Sequence, residues 1–164
     1  NYVLIGIIVK RIKWTEDFIK KYSEYLPEDN RDDEIKLSYS KLFFSSKHYK
    51  KSLECLTSFK GQNYMHYCDA SILKLCTYYE TEKFEEAFSE MDKLKHYLRN
   101  HSEVPEIHRE YFLNFLKIYL LLIKIKTGVN NKDLTELENQ INKKKLRSRE
   151  HWLREKISEL KNSE

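Results

Sequence analysis

Turn-forming residues are scarce in this chain, with three glycines and two prolines in 164 residues. A β-sandwich or barrel needs a turn every ~8–12 residues, so that architecture is excluded on supply. No Gly-rich phosphate loop, no Gly-x-Ser-x-Gly elbow and no His-Glu-x-x-His helix occurs. The usual local signatures of nucleotide binding, hydrolase chemistry and zinc-peptidase chemistry are therefore missing. The reading is of a non-enzymatic chain with no cofactor. Cysteine is limited to Cys55, Cys68 and Cys76. Their odd number and helical surroundings predict buried thiols in a reducing, cytoplasmic compartment rather than a disulfide framework. Neither charge dominates, with 30 Lys and Arg against 26 Asp and Glu and a net charge of +4. Long apolar runs are also lacking. Val3–Val9 is seven residues, followed by Lys10, Arg11 and Lys13, whereas a membrane span needs about 20. The chain begins at Asn1 rather than Met, which reads as a piece of a longer protein or a processed product.

What the chain has in quantity is Lys, Glu, Leu, Ile and Tyr, a composition suited to helices with much exposed surface. It also has a repeat. Trp14, Tyr49 and Phe84 are spaced by 35 residues, each followed four residues later by an apolar residue, Phe18, Leu53 and Phe88. Three residues after each lie Asp17, Ser52 and Ala87, small in the second and third copies. Apolar residues at i, i+4 and i+7 share one face of a helix. A partner helix precedes each copy, aligning Leu37, Ser40 and Phe44 with Ile72, Leu75 and Tyr79. A period of this size is the mark of stacked helical hairpins.

The pattern predicts an all-α fold of eight or nine helices in one domain spanning 1–164. The hairpins are 2–25, 34–59, 63–99 and 105–143, with a terminal capping helix over 147–161. Residues 2–12 then form the first helix of a hairpin, which accounts for the apolar run without lipid. Pro27 and the acidic run Glu28–Glu34 read as an exposed loop, and Gly61 as the C-terminal cap of the fourth helix. Pro105 suits the first turn of a long helix ending at Gly128. Asn114 and Lys117 within that apolar helix argue against a membrane span.

The stretch Tyr78–Met91, with Phe84 and Ala87 echoed by Tyr49 and Ser52, resembles the second half of a tetratricopeptide repeat (TPR). Cys68 and Ser45 stand where that family has small residues. Departures are Glu80 at a small-residue position, Asp33 and Cys68 in place of a usual glycine, and no closing proline after Phe84. The resemblance covers residues 2–99 and extends over 105–161 by architecture alone. It implies a TPR-like α-solenoid, a right-handed superhelix of antiparallel hairpins whose concave groove binds a peptide or protein. On that alignment Gln62, Met65 and Asp69 face the groove as partner-binding residues. The 35-residue period is similar to that of pentatricopeptide repeats as well, which implies single-stranded RNA as the alternative partner. A regulatory segment of a larger signalling protein is the third reading.

Other constellations carry less. Lys143, Lys144, Lys145, Arg147 and Arg149 put five cations in seven residues, a patch for nucleic acid or another anion. The competing reading is a helix C-terminus whose cations favour the negative dipole end. His66 and Cys68 diverge by about 200° on a helix, so with Cys76 they make a poor metal set. His96, His101 and His108 read as solvated residues around the break at Pro105. Glu80, Glu82, Glu85 and Glu86 suit a helix start better than acid–base chemistry. Asn100-His101-Ser102 matches a glycosylation sequon.

Overall fold

The computed structural model describes residues 2–61, 63–128, 134–143, 146 and 149–162. Among the described residues the chain is all-α, with nine α-helices, one 3-10 turn and no strand. It divides into two compact units, Asn1–Glu90 and Met91–Glu164.

The first unit holds α1 (Tyr2–Ile8), α2 (Ile12–Tyr22), a 3-10 turn (Ser23–Tyr25), α3 (Glu28–Ser45), α4 (Tyr49–Thr57) and α5 (Tyr64–Glu80). It ends with residues 84–90 of α6 (Phe84–Asn100). Three of its connections are built alike. Lys10, Lys47 and Glu82 take positive φ of 57°, 60° and 56°. The N–H of each donates to the carbonyl three residues back, on Ile7, Phe44 and Tyr79. The next N–H, on Arg11, His48 and Lys83, donates five residues back to Gly6, Phe43 and Tyr78. These bonds satisfy carbonyls that the ending helix leaves open. They also offset the ~1–2 kcal/mol that a side-chain-bearing residue costs in the left-handed region.

The shared turn sets the phase of the repeat and corrects it. Ile12, Tyr49 and Phe84 are equivalent, so the spacing is 37 and then 35, and Trp14 lies two residues late. The small residues under the turn are Thr15, Ser52 and Ala87, each fully buried. Each also donates its N–H to the residue four earlier, on Arg11, His48 and Lys83. Asp17 and Trp14 are exposed. Two indole-length residues cannot share the close seam between antiparallel helices, and a hydroxyl or methyl can. In the later two turns an aromatic pair packs across the connection. Phe44 meets Tyr49 at 5.6 Å, and Tyr79 meets Phe84 at 6.4 Å.

Three further expectations change. The acidic run expected as a loop is the first two turns of α3, with Pro27 at its N-cap and Glu28 and Asp29 near the positive dipole end. Asp33 turns inward, 4% exposed, and accepts the backbone N–H groups of Lys60 at 3.1 Å and Gly61 at 2.8 Å. Gly61 has φ +67° but serves this loop rather than the end of α4, which stops at Thr57. Phe88 is 43% exposed while Ala87 and Met91 are buried. The i+4 aromatic thus lies at the margin of the buried face.

In the second unit, Pro105 is the N-cap of α7 (Glu106–Lys126), and Gly128 follows its C-terminus at φ +70°. Arg109 donates to the carbonyls of His101 and Val104, both at 3.1 Å, closing the break before α7. α8 (Leu134–Lys143) and α9 (Glu150–Lys161) pack against α7 and each other. Tyr119, fully buried, stacks on Phe115 at 5.7 Å and Trp152 at 6.3 Å. Leu137, Ile141, Leu153 and Ile157 complete this core. The ion pair Lys161–Glu138 at 2.6 Å and the Arg154–Asn142 bond at 3.1 Å join the exposed sides of α8 and α9. Among the described residues no helix is long and apolar enough to cross a membrane.

Candidate functional site

The first unit aligns polar side chains of α3 and α5 into a two-rung ladder. Glu34 and Lys41 are seven residues apart on α3, and so share one face. Across from them on α5 stand His66 and Asp69. The first rung starts at the helix cap. Asn63 Oδ1 accepts the backbone N–H of His66 at 2.9 Å, an N-cap bond that fixes the orientation of the amide. The Asn63 amide nitrogen then lies 3.0 Å from His66 Nδ1. Since an amide nitrogen only donates, Nδ1 accepts and the ring proton sits on Nε2. That nitrogen faces Glu34 Oε1 at 2.9 Å. The second rung is Lys41 Nζ to Asp69 Oδ2 at 3.4 Å. The Lys41 and Asp69 side chains are 14% and 32% exposed, and those of His66 and Glu34 are 22% and 35% exposed. Polar groups that are partly accessible retain some of their hydration, so the ladder adds little to stability.

The expected groove residues are placed unequally. Asp69 is on the ladder, and Met65 is half-buried beside it in the first turn of α5. Gln62 lies outside the described residues. Glu34, Lys41 and His66 were missed by sequence reasoning. The available signal was the 35-residue offset itself, which sets the acids Glu34 and Asp69 at equivalent places. In the basic run, Lys143 is exposed in the last turn of α8, and Arg149 is the N-cap of α9 with φ 61°. Lys144, Lys145 and Arg147 lie outside the described residues.

A second charged cluster lies deeper. Glu90 is 6% exposed and has Lys74 Nζ 4.0 Å away. Burial, and then the Glu90 charge, push the Tyr67 and Tyr78 phenols above their ordinary range. Both remain neutral at physiological pH, available as hydrogen-bond donors and not as bases. Cys68 and Cys76 are fully buried, and burial also raises the half-buried Cys55 thiol. Near the α6–α7 break, His101 stacks on Tyr97 at 3.9 Å and meets Glu103 at 2.6 Å, so it is engaged in the loop. His96 is bonded to Asn100 at 2.8 Å. Among the described residues no three His, Cys, Asp or Glu side chains converge as metal ligands. The chemistry on offer is hydrogen bonding and paired charge beside apolar surface.

No family model matches the chain, and no curated protein or solved structure matches it.

Proposed function

We propose that the chain is a TPR-like helical-repeat scaffold. In this reading it is a right-handed superhelix of antiparallel hairpins that holds a peptide or protein partner along its first helices and performs no chemistry itself. One observation carries the reading. The same turn, with the same backbone bonds and a buried small residue beneath it, recurs at Lys10, Lys47 and Glu82. Supporting it, α1 and α2 pack on α3 as α3 and α4 pack on α5. Successive first helices then lie side by side, and the Glu34–His66 and Lys41–Asp69 rungs join two of them. A surface offering donors, acceptors and both charges suits an extended peptide, whose backbone needs partners of both kinds. Free thiols suit a reducing compartment such as the cytoplasm.

The test is capture of a partner from native lysate by the 164-residue chain, repeated with Gln62→Ala, Met65→Ala and Asp69→Ala combined. Loss of the partner supports the groove, and undiminished capture removes it. A titration with single-stranded RNA addresses the other partner class. Affinity that collapses with salt and with neutralisation of Lys143–Arg149 would replace the peptide reading.

A further inference from the structure

The second unit holds a concavity whose charge has one sign. Lys95, Leu98, Arg99, Arg109 and Leu113 line a groove of about 300 Å³ between α6 and α7. Lys95 and Arg99 are four residues apart on α6, as Arg109 and Leu113 are on α7, so each pair shares a helix face. Leu98 is 1% exposed and Leu113 half-buried, an apolar floor beneath three cations. None of the lining residues is a carboxylate. Arg109 Nη2 is held by the carbonyls of His101 and Val104, and its Nε donates to Glu106 Oε2 at 3.2 Å. Those bonds fix the guanidinium and leave its two Nη1 protons uncommitted among the described residues. Arg99 is exposed and has no partner among the described residues. Lys95 reaches Asp92 at 3.4 Å, but the Asp92 and Glu106 side chains are 80% and 88% exposed. Ion pairs so accessible are weak, and they yield to a stronger anion. A cation in the last turn of α6 suits that helix end. Arg109 stands instead in the first turn of α7, where the helix end itself favours anions.

We propose that this groove binds a phosphate monoester carried on an apolar body. The dianionic group offers three acceptor oxygens, enough for two guanidiniums and an ammonium, whereas a carboxylate brings one charge and two oxygens. The leucine floor and the aliphatic stems of Lys95 and Arg99 accommodate the body. Three like charges around one concavity also repel one another, a cost that a bound anion removes. A nucleic-acid strand, with its charges strung along a backbone, calls for a stripe of cations rather than a single cavity. The groove lies wholly within the second unit and does not rest on the peptide surface of α3 and α5, so either reading can fail alone.

The test is a titration of the 164-residue protein with phenyl phosphate at fixed ionic strength, followed by nuclear magnetic resonance. Saturable shifts are expected at the Leu98 and Leu113 methyls and at Nε of Arg99 and Arg109. Benzoate should bind about tenfold more weakly for want of charge, and inorganic phosphate more weakly for want of a body. Arg99→Gln should weaken phenyl phosphate about tenfold or more, and Arg99→Lys by less, since it keeps the charge and loses the fork. Lys93→Gln removes an exposed charge of the same helix outside the groove and should leave binding unchanged. Both positions are exposed, so these variants keep the parent's helical circular dichroism. The absence of saturable shifts, equal losses in the Arg99 and Lys93 variants, or equal affinity for benzoate or inorganic phosphate would each overturn the proposal. So would tighter binding of an oligothymidylate without terminal phosphates that Arg99→Gln abolishes. A phosphotyrosine pentapeptide titrated alongside separates two sources of the same chemistry. Tighter binding than phenyl phosphate supports a phosphorylated side chain, and equal or weaker binding supports a small-molecule ester.

Discussion

The first and second hairpins use one turn and close it in two ways. In the first, α1 meets α2 beside the turn. A Cβ placed on Gly6 would lie 2.1 Å from Thr15 Oγ1 and 3.0 Å from the Trp14 ring. Thr15 Oγ1 is itself bound to the Arg11 carbonyl at 2.8 Å. In the second, the equivalent of Gly6 is Phe43, and the contact between small residues lies further from the turn, at Ser40 and Ser52. Ser40 and Ser52, both fully buried, bring their hydroxyls within 2.9 Å of each other, and each lies 2.9 Å from the other's backbone carbonyl as the acceptor for its one proton. The turn therefore fixes the direction of the chain, and side-chain volume fixes where two helices touch. A polar seam is tolerated because it is reciprocally satisfied.

The sharpest way to break the comparison uses an aliphatic position that the two hairpins share. Leu42→Ala should cost about 2–4 kcal/mol in urea unfolding, since it opens a cavity in a covered site. Ile5→Ala, at the equivalent but half-exposed site, should cost less than about 1 kcal/mol. Equal losses would mean that the two faces are packed alike. Next in size, Gly6→Ala should cost about 2 kcal/mol through overpacking, and combining it with Thr15→Ala should restore much of that. The same glycine-to-alanine change would be unremarkable if α1 and α2 were further apart. Smaller still, Ser52→Ala or Ser40→Ala should each cost about 1 kcal/mol by removing one buried hydroxyl–carbonyl bond, while the remaining hydroxyl keeps its own carbonyl acceptor. The double variant should depart from the sum of the two, because the hydroxyls also lie 2.9 Å from each other and either change removes that shared contact. A fully additive cycle would show the seam to be no unit. The mildest perturbation is chemical. Iodoacetamide should label Cys55 alone in the native chain, and slowly, since burial raises its pKa and thins the thiolate. Cys68 and Cys76 should react once the chain unfolds, as mass spectrometry would report.

Much of this was legible beforehand, and the losses have physical causes. The ends of α5 and α6 lie within a few residues of those predicted, because apolar periodicity and the polar turn at Thr81–Lys83 agree there. The first repeat was misphased because Trp14 is the more conspicuous aromatic, while the position that matters holds Ile12. Aromatic character is a weak guide when the packing requirement is met by the small residue three places on. The acidic run was misread because Glu28 and Asp29 look solvated, whereas a helix N-terminus accepts them and Asp33 has backbone donors within reach. In the candidate site, Asp69 was expected from the repeat, but its partner Lys41 was not, since the two are 28 residues apart. No local pattern pairs residues so distant in sequence.

The sequence by itself determined that this protein is helical, where its helices begin and end to within a few residues in most cases, and that small residues recur beneath its turns. These are local properties, set by periodicity, by scarce glycine and proline, and by side-chain volume. Tertiary structure alone decided which equivalent positions are covered. Leu42 and Ile5 are both aliphatic residues five places before a left-handed turn residue, and nothing near either in sequence says which is buried. Burial depends on the neighbour that arrives from elsewhere in the chain. In the first hairpin that side of α1 stays open to solvent.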